Sequence, residues 1–134
     1  MASIEEHKKT IKELEDDLEE KIKLDLIGER QKIVGFAASE AAVNCFALLL
    51  HKKNVISPGF NVNHKWFASA ERAKEKFPSD FPHKNKLIEI LVRVEQLRDR
   101  LCYGRSKSAE EAEEEVKLFF ELKRIVEKEL GEEL

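Results

Sequence analysis

Cysteine is scarce in this chain: Cys45 and Cys102 are the only two among 134 residues. Two thiols cannot build the bridged framework of a small secreted domain, so a reducing, cytosolic setting is expected. Cys45 falls inside an apolar helical pattern, where a free cysteine behaves as a small buried hydrophobe. Proline and glycine are also few, at three and five. Little therefore interrupts a sequence rich in Lys, Glu, Leu and Ala, all good helix formers. Long apolar runs are missing: the longest, "CFALLL", falls well short of the roughly 20 residues a bilayer needs, and no membrane partner is expected. The N-terminal "MASIEEHKKT" is charged from the start and does not have the pattern of a signal peptide. Excess positive charge is absent as well. A net charge of −3 and a pI of about 5.9 argue against a non-specific nucleic-acid binder, although a local basic site is still allowed.

Several chemistries lack their residues. His7, His51, His64 and His83 do not stand at metal-ligand spacing with another His or Cys. The chain has no glycine-rich phosphate loop, no G-x-S-x-G elbow, no H-E-x-x-H and no Glu-x-x-His pair of the di-iron kind. Neither a metal nor a cofactor is expected. Carboxylates abound, but in runs such as "EEAEEE" they read as a solvated helix face.

What is present is helical periodicity. A first helix is expected from about Ser3 to Leu24, opened by a Ser3–Glu6 capping box. Ile4, Ile11, Leu14, Leu18 and Ile22 give it a narrow apolar stripe, so it should pack on one side only. Gly28 breaks the pattern. A second helix runs from about Glu29 to Lys52, and its middle, "IVGFAASEAAVNCFALLL", is apolar on nearly all sides. Such a helix is central in its bundle or shared with a partner subunit. Its small residues, Gly35 and Ala38 among them, would admit a close neighbour. Glu40 and Asn44, four apart, share a face. They either tie helices together or face a site built on another helix.

"KKNVISPGFNVN" reads as a loop with a Pro58-Gly59 turn. Asn61 or Asn63 caps a third, shorter helix over "HKWFASAERAKEKF", in which Trp66 is expected as a core anchor. A fourth helix runs from about Lys84 to Tyr103, with Leu87, Ile90, Leu91, Val94, Leu97 and Leu101 on its apolar face and Gly104 as its stop. The fifth helix follows a second expected capping box, Ser108–Glu111. No strand-like alternation occurs. The expectation is one domain over 1–134: an all-α, antiparallel up-and-down four-helix bundle with an additional shorter helix.

The candidate chemistry gathers at the end of the fourth helix, "LRDRLCYGR". Arg98 and Cys102 share a face. Arg98 and Asp99 point to different faces, and Tyr103 can swing back towards Arg98 past the helix end. Spacing alone favours helix-end chemistry, because arginines suit the negative end of the helix dipole.

This stretch and the final "SKSAEEAEEEVKLFFELKRIVEKEL" resemble the C-terminal half of HEPN domains, small all-α proteins whose signature is an Arg, then Asn or Asp, then a His four to six residues after the Arg. Arg98 and Asp99 match the first two positions, and Tyr103 stands where the His would be. "SEAAVN" and "NHKWF" resemble the family's second helix and the start of its third. The resemblance implies a cytoplasmic homodimer with two such motifs across a shared cleft. It also implies metal-independent RNase activity in some members, often as the toxin of a toxin–antitoxin pair beside a minimal nucleotidyltransferase, and binding or scaffold roles in others. On that footing the tentative catalytic residues are Arg98, Asp99 and Tyr103. Arg100, Arg105, Glu40 and Asn44 would line the cleft for a nucleotide, an RNA or a partner protein. Histidine titrates near neutral pH whereas tyrosine titrates near 10, so a Tyr in this place argues against proton shuttling. The expectation is a binding protein with weak or no catalysis; the alternatives are an RNase toxin and a purely structural interaction module.

Overall fold

The helix over Gln31–Lys52 (α2) organises the molecule. A computed structural model describes residues 3–134, and its elements in order are α1 (Ile4–Lys23), α2, a 3-10 helix (His64–Ala68), α3 (Ala70–Lys76), α4 (Lys84–Cys102) and α5 (Ala109–Leu130). No strand occurs among the described residues. The expected all-α bundle with an extra short helix is what forms.

Side-chain pairs fix the directions. His7 meets Asn44 and His51, so α1 runs antiparallel to α2. Arg98 meets Ser39 while Phe81 meets Phe46, so α4 is antiparallel to α2 as well. Arg93 reaches Glu114 and Lys86 reaches Glu121, which sets α5 antiparallel to α4. The 3-10 helix and α3 occupy the crossover between α2 and α4. Packing is uneven: α2 contacts α1, α4 and α5, while α1 packs principally on α2.

Small residues let α2 hold this place. A Cβ on Gly35 would stand 2.9 Å from the Leu101 Cβ and 3.3 Å from the Cys102 Sγ, so α4 crosses α2 where only glycine fits. By length and composition alone α2 is apolar enough to cross a membrane, which the short "CFALLL" run does not suggest; 78% of its apolar window is instead buried inside the bundle. Phe46 stands edge-on to Phe67 and Phe77 at 5.6 and 5.2 Å, and the half-buried Trp66 anchors the crossover against Phe60 and Phe77.

Two local expectations change and one choice is resolved. The third helix is split: Ser69 is extended, with φ −149° and ψ 157°, and its Oγ accepts from the Arg72 N–H at 3.1 Å, so α3 starts there afresh. Asn63, not Asn61, caps the 3-10 helix through Oδ1 and the Lys65 N–H. The Ser3–Glu6 capping box is present with both hydrogen bonds, but Ser108 makes no side-chain cap: the Glu111 N–H donates to the Ser108 carbonyl, and the Glu111 carboxylate pairs with Arg100. Gly104, at φ +77°, does turn the chain out of α4.

Candidate functional site

Two charged residues stand among the inward positions of α4. Glu95 and Arg98 lie one turn apart beside the buried Leu91, Val94, Leu97 and Leu101, and both are only 8% exposed. Arg98 turns towards α2. Its Nη1 donates to Ser39 Oγ at 2.9 Å and to Glu40 Oε1 at 2.8 Å, and its guanidinium lies 5.3 Å from the centre of the Phe36 ring. Arg98 therefore ties α4 to α2 through an ion pair that is largely shielded from water.

Two further carboxylates stand behind it. Both Glu95 oxygens lie 3.0 Å from His64 Nδ1, so the 3-10 helix is tied to α4 here. Burial pushes the Glu95 carboxyl above the usual carboxylate range, against the opposing pull of His64 and Arg98. Glu115 on α5 is 0% exposed, and neither of its oxygens has a hydrogen-bond partner among the described residues. Burial first, and then the charge of Glu95, push it well above the carboxylate range, so its neutral form is favoured. Burial also raises the Cys102 thiol, which leaves it a weak nucleophile. Among the described residues no three His, Cys, Asp or Glu side chains are placed to hold a metal ion.

The expected site residues are only partly brought together. Glu40 reaches Arg98. Asn44 does not: its Nδ2 donates to the Glu40 carbonyl at 2.8 Å and its Oδ1 lies 2.8 Å from His7 Nδ1. Asp99 is exposed and forms no ion pair with Arg98 or Arg105. Arg100 pairs with Glu111 at the surface. Arg105 is exposed, and its carbonyl accepts from Lys107 Nζ. Tyr103 is 65% exposed at the extended C-cap of α4, with no hydrogen bond to Arg98. Sequence spacing places Glu95 one turn from Arg98 but does not mark Ser39, Glu115 or His64 as neighbours of this pair. The one available signal is the stripe of α5 that holds Glu115: Ala112, Glu115, Val116, Phe119 and Leu122 follow helical spacing, and all are buried.

Next to this cluster α2 is open. Ile33 and Phe36 are 50% and 48% exposed, although most of α2 is covered. On one flank Glu13, Asp16, Asp17 and Glu20 of α1 rim a groove of about 440 Å³ floored by Ile33 and Phe36. On the other, Arg30 and Lys32 border a groove of about 390 Å³ that reaches Leu101. No family model, curated protein or solved structure matches the chain.

Proposed function

We propose that this chain is a HEPN-like helical binding module that works as a homodimer, with the exposed stripe of α2 and the Arg98 end of α4 in a shared cleft and with weak or no catalysis. The observation that carries this reading is the state of Arg98, which is 8% exposed and already bound to Ser39 and Glu40. An incoming phosphate would meet Glu40 and Glu95 as well as the arginine, so a partner protein suits this cleft better than free RNA. Of the partners that the resemblance implies, a second copy and a minimal nucleotidyltransferase both fit a cleft with an apolar floor. The stripe of Ile33 and Phe36 has Glu13 and Glu20 on its α1 flank and Arg30 and Lys32, beside Glu29, on the other, so two-fold rotation of a second copy would bring unlike charges together there.

Sedimentation across a concentration series tests the reading. The expected result is self-association of the 15.5 kDa chain that is weakened in Phe36→Glu with its helical circular dichroism intact. A wild-type protein that is monomeric throughout would overturn it.

A second reading, a metal-independent RNase, draws support from one contact. Glu95 holds His64 Nδ1 one helical turn from Arg98, so a histidine oriented by a carboxylate stands near the arginine although Tyr103 occupies the motif position. Incubation with total RNA in EDTA separates the two readings. Cleavage lost in both His64→Ala and Arg98→Ala would favour the RNase; background-level cleavage by the wild type would remove it.

A further inference from the structure

The outer face of α5 carries a charge pattern that the bundle uses at one position only. Along one side of the helix stand Glu110, Glu113, Lys117, Glu121, Arg124 and Lys128; Glu121 is half-exposed and the others are exposed. Steps of three and four residues set all six on one side of the helix. Among the described residues only Glu121 has an ion-pair partner within the chain, Lys86 at 3.5 Å.

The signs of this stripe are antisymmetric. Glu110 mirrors Lys128, Glu113 mirrors Arg124, and Lys117 mirrors Glu121. The Glu110–Lys128 and Lys117–Glu121 pairs have their midpoint at Phe119, and the Glu113–Arg124 pair between Leu118 and Phe119. The midpoint of α5 itself lies between Phe119 and Phe120. Two copies of α5 laid antiparallel about that point would oppose every acid with a base over nearly the whole helix.

The helix dipole accounts for part of this pattern and not for the rest. Acids near an N-terminus and bases near a C-terminus are favoured in any helix, which covers the two outer pairs. The inner pair runs the other way, with Lys117 in the N-terminal half and Glu121 in the C-terminal half. A lysine four residues before a glutamate is also the weaker order for an intrahelical pair. Glu121 already meets Lys86 of α4 at 3.5 Å, whereas Lys117 has no ion-pair partner among the described residues. The stripe's Glu113, Lys117, Glu121 and Arg124 line one side of a groove of about 690 Å³ between α5 and the end of α1, whose apolar part is Ile22, Ile27, Val116 and Phe120. The apolar stripe of α1 predicts Ile22 inside the bundle, yet it is 45% exposed.

We propose that the outer face of α5 is a self-association surface that takes the α5 of a second copy of this chain, antiparallel and about a two-fold axis near Phe119, with Glu113 against Arg124 and Lys117 against Glu121 across the axis. The groove then receives apolar side chains from the partner, as in helix-pair interfaces where flanking charges set orientation. This surface is distinct from the α2 stripe, so a chain that used both would form assemblies larger than a dimer.

Charge reversal tests it. Glu113 and Arg124 are eleven residues apart, about 16 Å along one helix, so they cannot pair within a chain. Sedimentation equilibrium at low salt should show association weakened roughly tenfold by Glu113→Arg and by Arg124→Glu, since each change places like charges together twice in a two-fold contact. The double variant should recover wild-type association. The dipole alone predicts the opposite, because both changes then oppose it. Association should also weaken as salt rises. A double variant no better than the singles, or singles that associate like the wild type, would overturn the proposal. Phe36→Glu keeps the two surfaces apart: association lost there and untouched by charge reversal leaves the α2 reading standing and removes this one, and the reverse result does the opposite.

Discussion

Glu15 and Glu115 have the same kind of place and opposite surroundings. Each sits on the inward stripe of a long helix, and they are 7% and 0% exposed. Glu15 on α1 faces α5, where Lys123 forms an ion pair with it. Glu115 on α5 faces α4, where the nearest opposite charge is Arg98, and Arg98 has turned away to Ser39 and Glu40. One buried carboxylate is therefore an ionic tie and the other an unpaired acid whose charged form is disfavoured. The helical stripe decides that a side chain is buried. The element across from it decides what charge that side chain carries.

Breaking the paired member gives the largest expected effect. Lys123→Met leaves Glu15 buried and alone, and should lower stability by about 3–5 kcal/mol in urea or guanidinium unfolding. Replacing both partners, with Glu15→Leu added to Lys123→Met, should recover most of that loss, because an apolar pair of similar volume needs no desolvation of charge. A double variant as unstable as the single would mean that packing around Lys123, and not the charge of Glu15, sets the loss.

The unpaired member should respond in the other direction. Glu115→Met removes a buried acid without removing a partner, and is expected to raise stability by about 1–3 kcal/mol at pH 8. The pH dependence follows from the upward shift of Glu115. Its carboxyl titrates higher in the folded chain than in the unfolded one, where the value is about 4.3. Its favourable contribution is thus complete below the unfolded value and is lost as pH rises through the folded one. Glu115→Gln cannot ionise, so its advantage over the wild type should be small at pH 5 and grow towards pH 8. Glu95 shifts the same way and its charge acts on Glu115, so the difference between the two curves reports Glu115 together with its coupling to Glu95. A difference that stays flat with pH would show that Glu115 titrates in the folded protein as it does in the unfolded chain.

These two carboxylates also mark how far the sequence can be read. The helix pattern, the loop at Pro58-Gly59 and the central role of α2 follow from periodicity and small residues, and the chain folds that way. The run "EEAEEE" reads as solvated when composition is weighed ahead of spacing; Glu115 lies on the inward stripe although Glu113 and Glu114 before it are exposed and half-exposed. Arg98 is legible as an unusual residue and Glu40 as a candidate beside it, but Ser39 is not, since only the α2–α4 crossing brings it there. The split of the third helix is legible in part: Ser69 is a good N-cap, but it stands inside a stretch whose composition looks continuously helical.

The smallest expected effect concerns two motifs that read alike and differ in partner, as the buried acids do. Ser3–Glu6 and Ser108–Glu111 are both serine followed three residues later by glutamate. At Ser3 both reciprocal bonds form, with Glu6 N–H donating to Ser3 Oγ at 3.1 Å and Ser3 N–H to Glu6 Oε2 at 3.2 Å. At Ser108 neither forms: the Glu111 carboxylate lies against Arg100, and the Glu111 N–H donates to the Ser108 carbonyl at 3.2 Å. Ser3→Ala should therefore cost about 1 kcal/mol in thermal or chemical unfolding, and Ser108→Ala only a few tenths. Arg100→Ala sharpens the contrast: it frees Glu111, and a Ser108 cap that can then close should make Ser108→Ala more damaging in that background than alone. Equal effects of Ser108→Ala with and without Arg100 would show that the cap is blocked by the backbone at 108 and not by the competing arginine.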